Sequence, residues 1–508
     1  MRKKHIKFSA IVISLIVLFT GVYYLFIKNR HRLSSDKNLN VILISIDAAR
    51  ADRFSFHGYP VNLTPNIDKL AYSGVVFRKT YCFAGNTSAS MGSIFTSRIP
   101  YWPLEVPGGG PRWQVKHHYG FTRFQESGSL QAGIPKSLET IQTTLKKHDY
   151  TTIGISTNPY LTRDFNFNQG FDFFEEFSSN WRQPYASVER VVSKLDSYIS
   201  ELKHKKFFAW IHLMDLHYPL RDFQKFLNEA KSRGLKSGPE ASPVSEWTQE
   251  AVNILSGFGK RHIPDWKPGE EGLGKALAKY ILAYEAELFR IDKQIGLLMK
   301  NLRRRNVGDN TLVIIITDHG EEFAEHTFWD HRGQLYELIV NGLWVMHCPK
   351  LFPKPVMVEK RVSMIDLLPT LLDLLHLEGN DLSFDGKSQA PLLKKNLGEK
   401  GGLVFGLMDR RAYIVDEDYK LIVNRDFGKE DRGAHPDPPV APIELFNLKQ
   451  DPQELHNLAD ELPSMVDKLL IRLKQAFLEK GIRLWEGSQS REVSEKTRER
   501  LRSLGYLK

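Results

Sequence analysis

The sequence predicts an α/β fold, a mainly parallel central sheet flanked by helices, with a transmembrane helix ahead of it. Three apolar runs, far apart in the chain, each end in residue types that bind metals, and a long apolar stripe at helical spacing lies between the second and third. The uncharged stretch from Phe8 to Ile27 accounts for the transmembrane helix.

The first run, Val41 to Ile46, ends in Asp47. The second, Phe207 to Ile211, leads into His212, Asp215 and His217, and the third, Thr311 to Thr317, into Asp318 and His319. Short apolar runs without polar alternation suit strands buried on both faces, the habit of parallel sheets. In open α/β sheets, functional groups gather at the carboxyl ends of strands. A single Asp in that position commonly caps the next helix. Three strand ends supplying Asp, Asp-His and His-x-x-Asp-x-His together predict one metal site rich in oxygen and imidazole.

Between the second and third runs, Leu277, Ile281, Tyr284, Leu288, Ile291, Ile295, Leu298 and Leu302 recur at spacings of four and three. This is the stripe by which a helix packs onto a sheet. Arg303, Arg304 and Arg305 then suit the negative end of the helix dipole, whereas Glu321 and Glu322 read as carboxylates at a helix N-terminus. Residues 219–270, rich in Pro, Gly, Ser and charge, read as an insertion covering the site. The stretch Gly108 to Pro111 lacks the strand-to-helix context of a phosphate cradle and reads as a rim.

The formal charge of +10 and the pI near 9.2 invite a nucleic-acid partner until the charge is located. Residues 1–40 carry eight Lys or Arg against Asp36, a net +7, which leaves +3 on the other 468. A near-neutral body disfavours polyanion binding as the main business, so no nucleic acid is expected. The basic residues bracket Phe8–Ile27, 20 residues long enough to cross a hydrocarbon slab of about 30 Å. A cleaved signal peptide has a shorter apolar region and a small-x-small site, neither of which is present. The expectation is therefore a single-pass anchor in contact with membrane lipid, with the body on the extracytoplasmic side. Cys82 and Cys348 form no disulfide or metal framework.

These residues bring the chain to a family. Asp47-Ala48-Ala49-Arg50 with His57-Gly58-Tyr59 and Thr64-Pro65-Asn66, then Thr87 to Ser97, then Asn158 with Gly170-Phe171-Asp172, resemble successive blocks of the sulfatase family in the alkaline-phosphatase superfamily. So do His212 to Pro219, Asp318 to Glu321 with the downstream His331, and Glu444 to Ala459 near the end. The resemblance implies an alkaline-phosphatase-like fold with a small C-terminal α+β subdomain. The organisation expected is an anchor segment (1–40), a catalytic domain (41–375), a C-terminal subdomain (376–485) and a tail (486–508). It further implies displacement on a sulfate or phosphate ester, with one divalent metal ion (zinc, manganese or calcium) held by Asp47, Thr87, Asp318 and His319. Thr87 would be the nucleophile, and His217 and His331 would neutralise the ester oxygens or protonate the leaving group. His212 and Asp215 are second choices.

The chain also departs from the family. Classical members carry Cys or Ser where Thr87 aligns, for oxidation to formylglycine, and a secondary alcohol on a branched carbon cannot give that aldehyde. No formylglycine is expected, and Cys82 is out of register. Ala89 replaces the usual proline, Met91 the usual arginine, and Ala48 a frequent second aspartate. Ser88 and Ser90 stand as alternative hydroxyls beside Thr87. Three functions follow as expectations: a membrane-anchored ester hydrolase acting on sulfated or phosphorylated glycan or lipid, a phosphoethanolamine-type transferase, and a catalytically impaired binding protein.

Overall fold

A computed structural model describes residues 39–99, 130–131, 133–177, 186–202, 205–217, 220, 271–323, 325–326, 329–331, 334–377, 384–395, 401–408, 411–424, 441–479 and 490–491. The apolar run Phe8–Ile27, nearly all of 219–270, the Gly108–Pro111 stretch and most of the tail lie outside these residues. Among the described residues no helix is long and apolar enough to cross a membrane.

The main sheet uses strands β1 (Asn40–Ile46), β2 (Val75–Tyr81), β3 (Thr151–Ser156), β4 (Phe173–Glu176), β5 (Phe207–Leu213), β6 (Thr311–Thr317), β7 (Asn341–His347), β8 (Val356–Val358) and β9 (Val362–Ser363). Their spatial order is β8-β2-β7-β6-β1-β5-β3-β4, with β9 also paired to β2. All run parallel except β7, which is antiparallel to both β2 and β6. The sheet is thus mixed, though mainly parallel as expected. The three apolar runs lie side by side, β5 and β6 flanking β1. Every residue of the three is buried, which explains why their sequences show no alternation. The second strand runs two residues past the predicted end, so His212 sits inside it.

Alternate residues of β1 feed two cores. Ile42, Ile44 and Ile46 meet α1 (Pro65–Tyr72), α4 (Val188–Leu202) and α5 (Glu271–Arg304). Val41 and Leu43 face α2 (Thr87–Thr96), α3 (Ile141–Lys147) and α6 (Leu367–Leu374). On α5, the predicted stripe from Tyr284 to Leu302 is buried, each large aliphatic side chain contributing about 1.5–3 kcal/mol. The exposed Arg303 and Arg304 close α5, and Arg305 just beyond it pairs with Asp196.

Near the end of the chain β10 (Val404–Met408), β11 (Arg411–Asp416), β12 (Tyr419–Asn424) and β13 (Ile443–Asn447) form an antiparallel sheet. One face takes α7 (Pro463–Glu479) through Leu469, Leu473 and Phe477. The other packs Tyr413, Ile422 and Phe446 against Tyr81, Phe83 and Ile339 of the main body. A buried polar seam joins the two, in which Lys420 reaches Glu337 (3.1 Å) and Glu454 (2.9 Å).

Candidate metal centre and nucleophile

The central strands β1 and β6 end beside each other, and their next residues, Asp47 and Asp318, are both fully buried. Hydroxyls pin the two ends together. Thr317 Oγ1 lies within reach of the carbonyls of Ile46 (3.0 Å) and His319 (2.7 Å), to either of which it can donate, and Ser90 Oγ of α2 donates to the carbonyl of Asp318 (2.6 Å). The helix α2 is itself started by Asn86, whose side chain accepts from the Ala89 N–H at 3.0 Å. That cap leaves Thr87 in the first turn, where the helix dipole favours developing negative charge.

Each carboxylate holds one oxygen with no hydrogen-bond partner, Asp47 Oδ1 and Asp318 Oδ2. His319 faces both. Its Nε2 lies 3.7 Å from Asp47 Oδ1, 3.6 Å from Asp318 Oδ2 and 3.2 Å from Thr87 Oγ1. Its Nδ1 lies 2.9 Å from the carbonyl of Gly320, an acceptor that fixes the proton on Nδ1 and turns the Nε2 lone pair toward the carboxylates. The other Asp47 oxygen, Oδ2, is well supplied: His212 Nε2 stands at 3.0 Å, Asn158 Nδ2 donates at 2.8 Å and Thr87 Oγ1 lies at 3.4 Å.

Electrostatics agree with this division. Burial alone raises the Asp47 carboxyl, yet the hydrogen bond from His212 and the imidazoles of His217, His212 and His319 outweigh it and hold it well below the usual range. Asp318 is driven far up by burial and by the charge of Asp47. Burial, followed by the neighbouring His331, pushes His319 down to about 3, so it is a neutral imidazole. Two buried carboxyls that cannot both ionise, each with a bare oxygen, beside an imidazole lone pair, form a donor set that a divalent cation satisfies. One ligand atom each from Asp47, His212 and Asp318 also falls within 4.8 Å of the others.

Two further imidazoles continue from this point. His331 packs against His319 with centroids 4.2 Å apart and ring planes tilted by 33°, and meets His217 edge-on at 5.0 Å. Glu321 lies 3.2 Å from His331 Nδ1. The structure thus brings Asp47, Thr87, Asp318, His319, His331 and His217 into one cluster.

Residues 39–377, two thirds of the chain, match the sulfatase family. The chain belongs to that family. As a sulfatase it is a hydrolase of the sulfuric ester class, and sulfatases in general use a divalent metal. It is 22% identical to an arylsulfatase of Clostridium perfringens over 85% of this chain and 94% of that protein. It shares its fold with a solved protein bound to its substrate D-glucosamine-2-N,6-O-disulfate, at a TM-score of 0.62, with 17% identity and coverage of 87% and 98%. The phosphonate monoester hydrolase of Agrobacterium radiobacter follows at 0.59, with 18% identity and coverage of 87% and 96%.

Several expectations are corrected in this sulfatase. Asp215 is not in the cluster. Its Oδ1 pairs with Arg290 of α5 and accepts from the Val188 N–H (3.0 Å) at the start of α4, a structural ion pair. Glu321 and Glu322 begin no helix. Glu322 opens a two-residue strand paired with Trp329–Asp330 and holds His326 at 2.9 Å, while Glu321 serves His331. Of the alternative hydroxyls, Ser90 is spent on the Asp318 carbonyl. Met91 is core, and Cys82, its thiol raised by burial, donates to the Thr317 carbonyl at 3.7 Å. Ala48 adds no ligand. Its φ of 56° is left-handed, and Tyr284 Oη holds its carbonyl at 2.8 Å.

Sequence reasoning gave Asn158 no role beyond the resemblance, yet its amide reaches both Asp47 and Thr87 (3.4 Å). The signal was present, since Asn158 lies two residues beyond another buried strand, β3. Ser45 was equally visible as the one polar residue inside the first apolar run.

Proposed function

We propose that this sulfatase is a metal-dependent hydrolase of sulfate esters on glycans, with Thr87 as its nucleophile. The observation that carries the reading is the place of Thr87 Oγ1, at a helix N-terminus and within 3.2–3.4 Å of His319 and Asp47. Asp47 Oδ1, Asp318 Oδ2 and His319 Nε2 would hold one divalent cation, with Thr87 Oγ1 at its edge. Bound there, the cation supplies Lewis-acid polarisation of the ester and a lowered pKa for the attacking hydroxyl. Two carboxylates and an imidazole suit zinc or manganese better than calcium, which prefers six to eight oxygens.

The chain's own groups then divide the work. Asn158 Nδ2 donates to Thr87 Oγ1 and steadies it as it gains charge. Asp47 Oδ2, 3.4 Å from Thr87 Oγ1, takes the hydroxyl proton as the bond to sulfur forms. The sulfur–oxygen bond to the sugar breaks as the bond to Thr87 forms, and His331 or His217 protonates the departing alkoxide. Water cleaves the Thr87 ester in the second half. Glu321, 3.2 Å from Nδ1 of His331, orients that ring.

A second reading is phosphoryl transfer, hydrolytic or to a surface glycan. What favours it is the threonine itself, which cannot become formylglycine, together with the fold shared with a phosphonate monoester hydrolase. The test is to assay the full-length protein on aryl sulfate, phosphate monoester and phosphodiester substrates, beside Thr87→Ala. Sulfate turnover lost in the variant supports the proposal. Turnover confined to phosphorus esters transfers it to the second reading. No turnover and no bound metal leave a binding protein. The reading includes a membrane anchor at Phe8–Ile27 and an extracytoplasmic body: protein extracted from membranes should begin near Met1, and a start near residue 30–40 would refute the anchor.

A further inference from the structure

Two neighbouring strands carry polar side chains into an otherwise apolar sheet, and these form one file of hydrogen bonds ending on Asp47. Trp210 Nε1 donates to Ser45 Oγ at 3.0 Å, Ser45 Oγ lies 2.8 Å from His212 Nδ1, and His212 Nε2 lies 3.0 Å from Asp47 Oδ2. All four residues are 0% exposed, and the register of β1 on β5 sets Ser45 opposite His212. A polar file this deep is costly unless every member is satisfied, so its proton arrangement is constrained.

An indole nitrogen only donates, so Ser45 accepts from Trp210 and has one proton left to give. If that proton goes to the Ile211 carbonyl, 3.3 Å away, His212 must carry its own on Nδ1. A neutral ring would then point its Nε2 lone pair at a carboxylate oxygen 3.0 Å away, which requires His212 either to bind the metal or to take a second proton on Nε2 that again donates to Asp47. If Ser45 instead donates to Nδ1, then Nε2–H donates to Asp47 Oδ2 and every group in the file has a partner. Asp47 Oδ2 also accepts from Asn158, whereas its Oδ1, the oxygen facing His319, has no hydrogen bond.

Resting on the metal centre proposed above, we infer that His212 is a positioning residue, not a metal ligand. Held by Ser45 in the tautomer that donates from Nε2, it occupies Asp47 Oδ2 and so presents Oδ1 to the metal. His319 is then the single imidazole ligand, its ring oriented in turn by the Gly320 carbonyl. Partners of this kind typically change metal affinity about 10–100-fold when removed.

The test uses the full-length protein loaded with Mn2+, counting directly bound imidazole nitrogens by pulsed electron paramagnetic resonance and measuring the Mn2+ dissociation constant. One imidazole is expected in the unaltered protein, lost in His319→Ala and kept in His212→Gln, whose amide still donates. His212→Ala and Ser45→Ala should weaken Mn2+ binding about 10–100-fold. Two imidazoles in the unaltered protein, falling to one in His212→Gln, would overturn the inference alone. Unchanged affinity in both alanine variants would also overturn it. A protein that takes up no Mn2+ would overturn the metal centre and this inference together.

Discussion

Asp215 and Asp318 follow β5 and β6, the strands on either side of β1, and both are fully buried. Asp215 is met by Arg290 and by the N–H of Val188, which tie β5 to α4 and α5. Asp318 meets another carboxylate, Asp47, where Asp215 meets a guanidinium. Matched burial with opposite company separates an acid that holds the fold together from one that, in the proposed function, would hold a cation. The polar seam repeats the first pattern, since Lys420 lies between Glu337 and Glu454 and His326 against Glu322. A strand-terminal aspartate is therefore identified by its counter-charge, and its position in the strand does not decide the matter.

The comparison can be broken most sharply at the nucleophile beside Asp318. Thr87→Ala should lower kcat by about 10⁴-fold or more while leaving the metal dissociation constant within a few-fold, read by steady-state kinetics and metal titration. An unchanged kcat would remove Thr87 from the mechanism. Next, Asp318→Asn should abolish metal uptake and cost on the order of 10³-fold in kcat/KM. Without metal it should melt higher than the unaltered protein, because it removes the cost of keeping a buried carboxyl protonated beside Asp47. A lower melting temperature would show that Asp318 is structural like Asp215. The converse substitution, Asp215→Asn, removes one of the three carboxylates around Arg290, which keeps Glu287 and Glu189, and should destabilise the fold by about 1–3 kcal/mol in denaturant titrations, with metal affinity of the folded fraction unaltered.

The smallest expected effect lies in the seam. Burial lowers the His326 pKa, but its hydrogen bond and charge interaction with Glu322, joined by Glu454, raise it to about 9. A histidine whose folded pKa is raised lends stability in full below its ordinary value of 6.5 and loses it as pH climbs through about 9. The melting temperature should fall across that window, and His326→Gln should flatten the fall. An equal slope in both proteins would place the pH dependence elsewhere.

Much of this was legible in the sequence because strands buried on both faces leave apolar runs, and the residues that end them stand out. Asp47, Asp318 and His319 were found that way, as was the α5 stripe. What sequence could not show was company. Nothing in the run His212 to His217 reveals that Arg290, 75 residues on, neutralises Asp215, or that Ser45 and Asp47 take both nitrogens of His212. Glu321 and Glu322 were misread as helix-capping carboxylates because acids after a strand usually precede a helix, whereas here the chain turns into a short ribbon that returns His331 to the site. The reversed direction of β7 left no mark either, since an antiparallel strand buried on both faces has the same apolar composition as its parallel neighbours.

The place of β1 between β5 and β6 also sets an order of events. Ser45 waits 167 residues for His212, and Ile46 waits 271 for the Thr317 side chain that ties the two strand ends. Contacts this distant in sequence close slowly, and until they do an apolar strand has open edges. During synthesis β1 is therefore an apolar strand without a neighbour until β5 has been made, and it needs protection from its own kind. In the proposed centre the last ligand, His319, arrives just after β6, so a cation could be held only once β1 and β6 have paired.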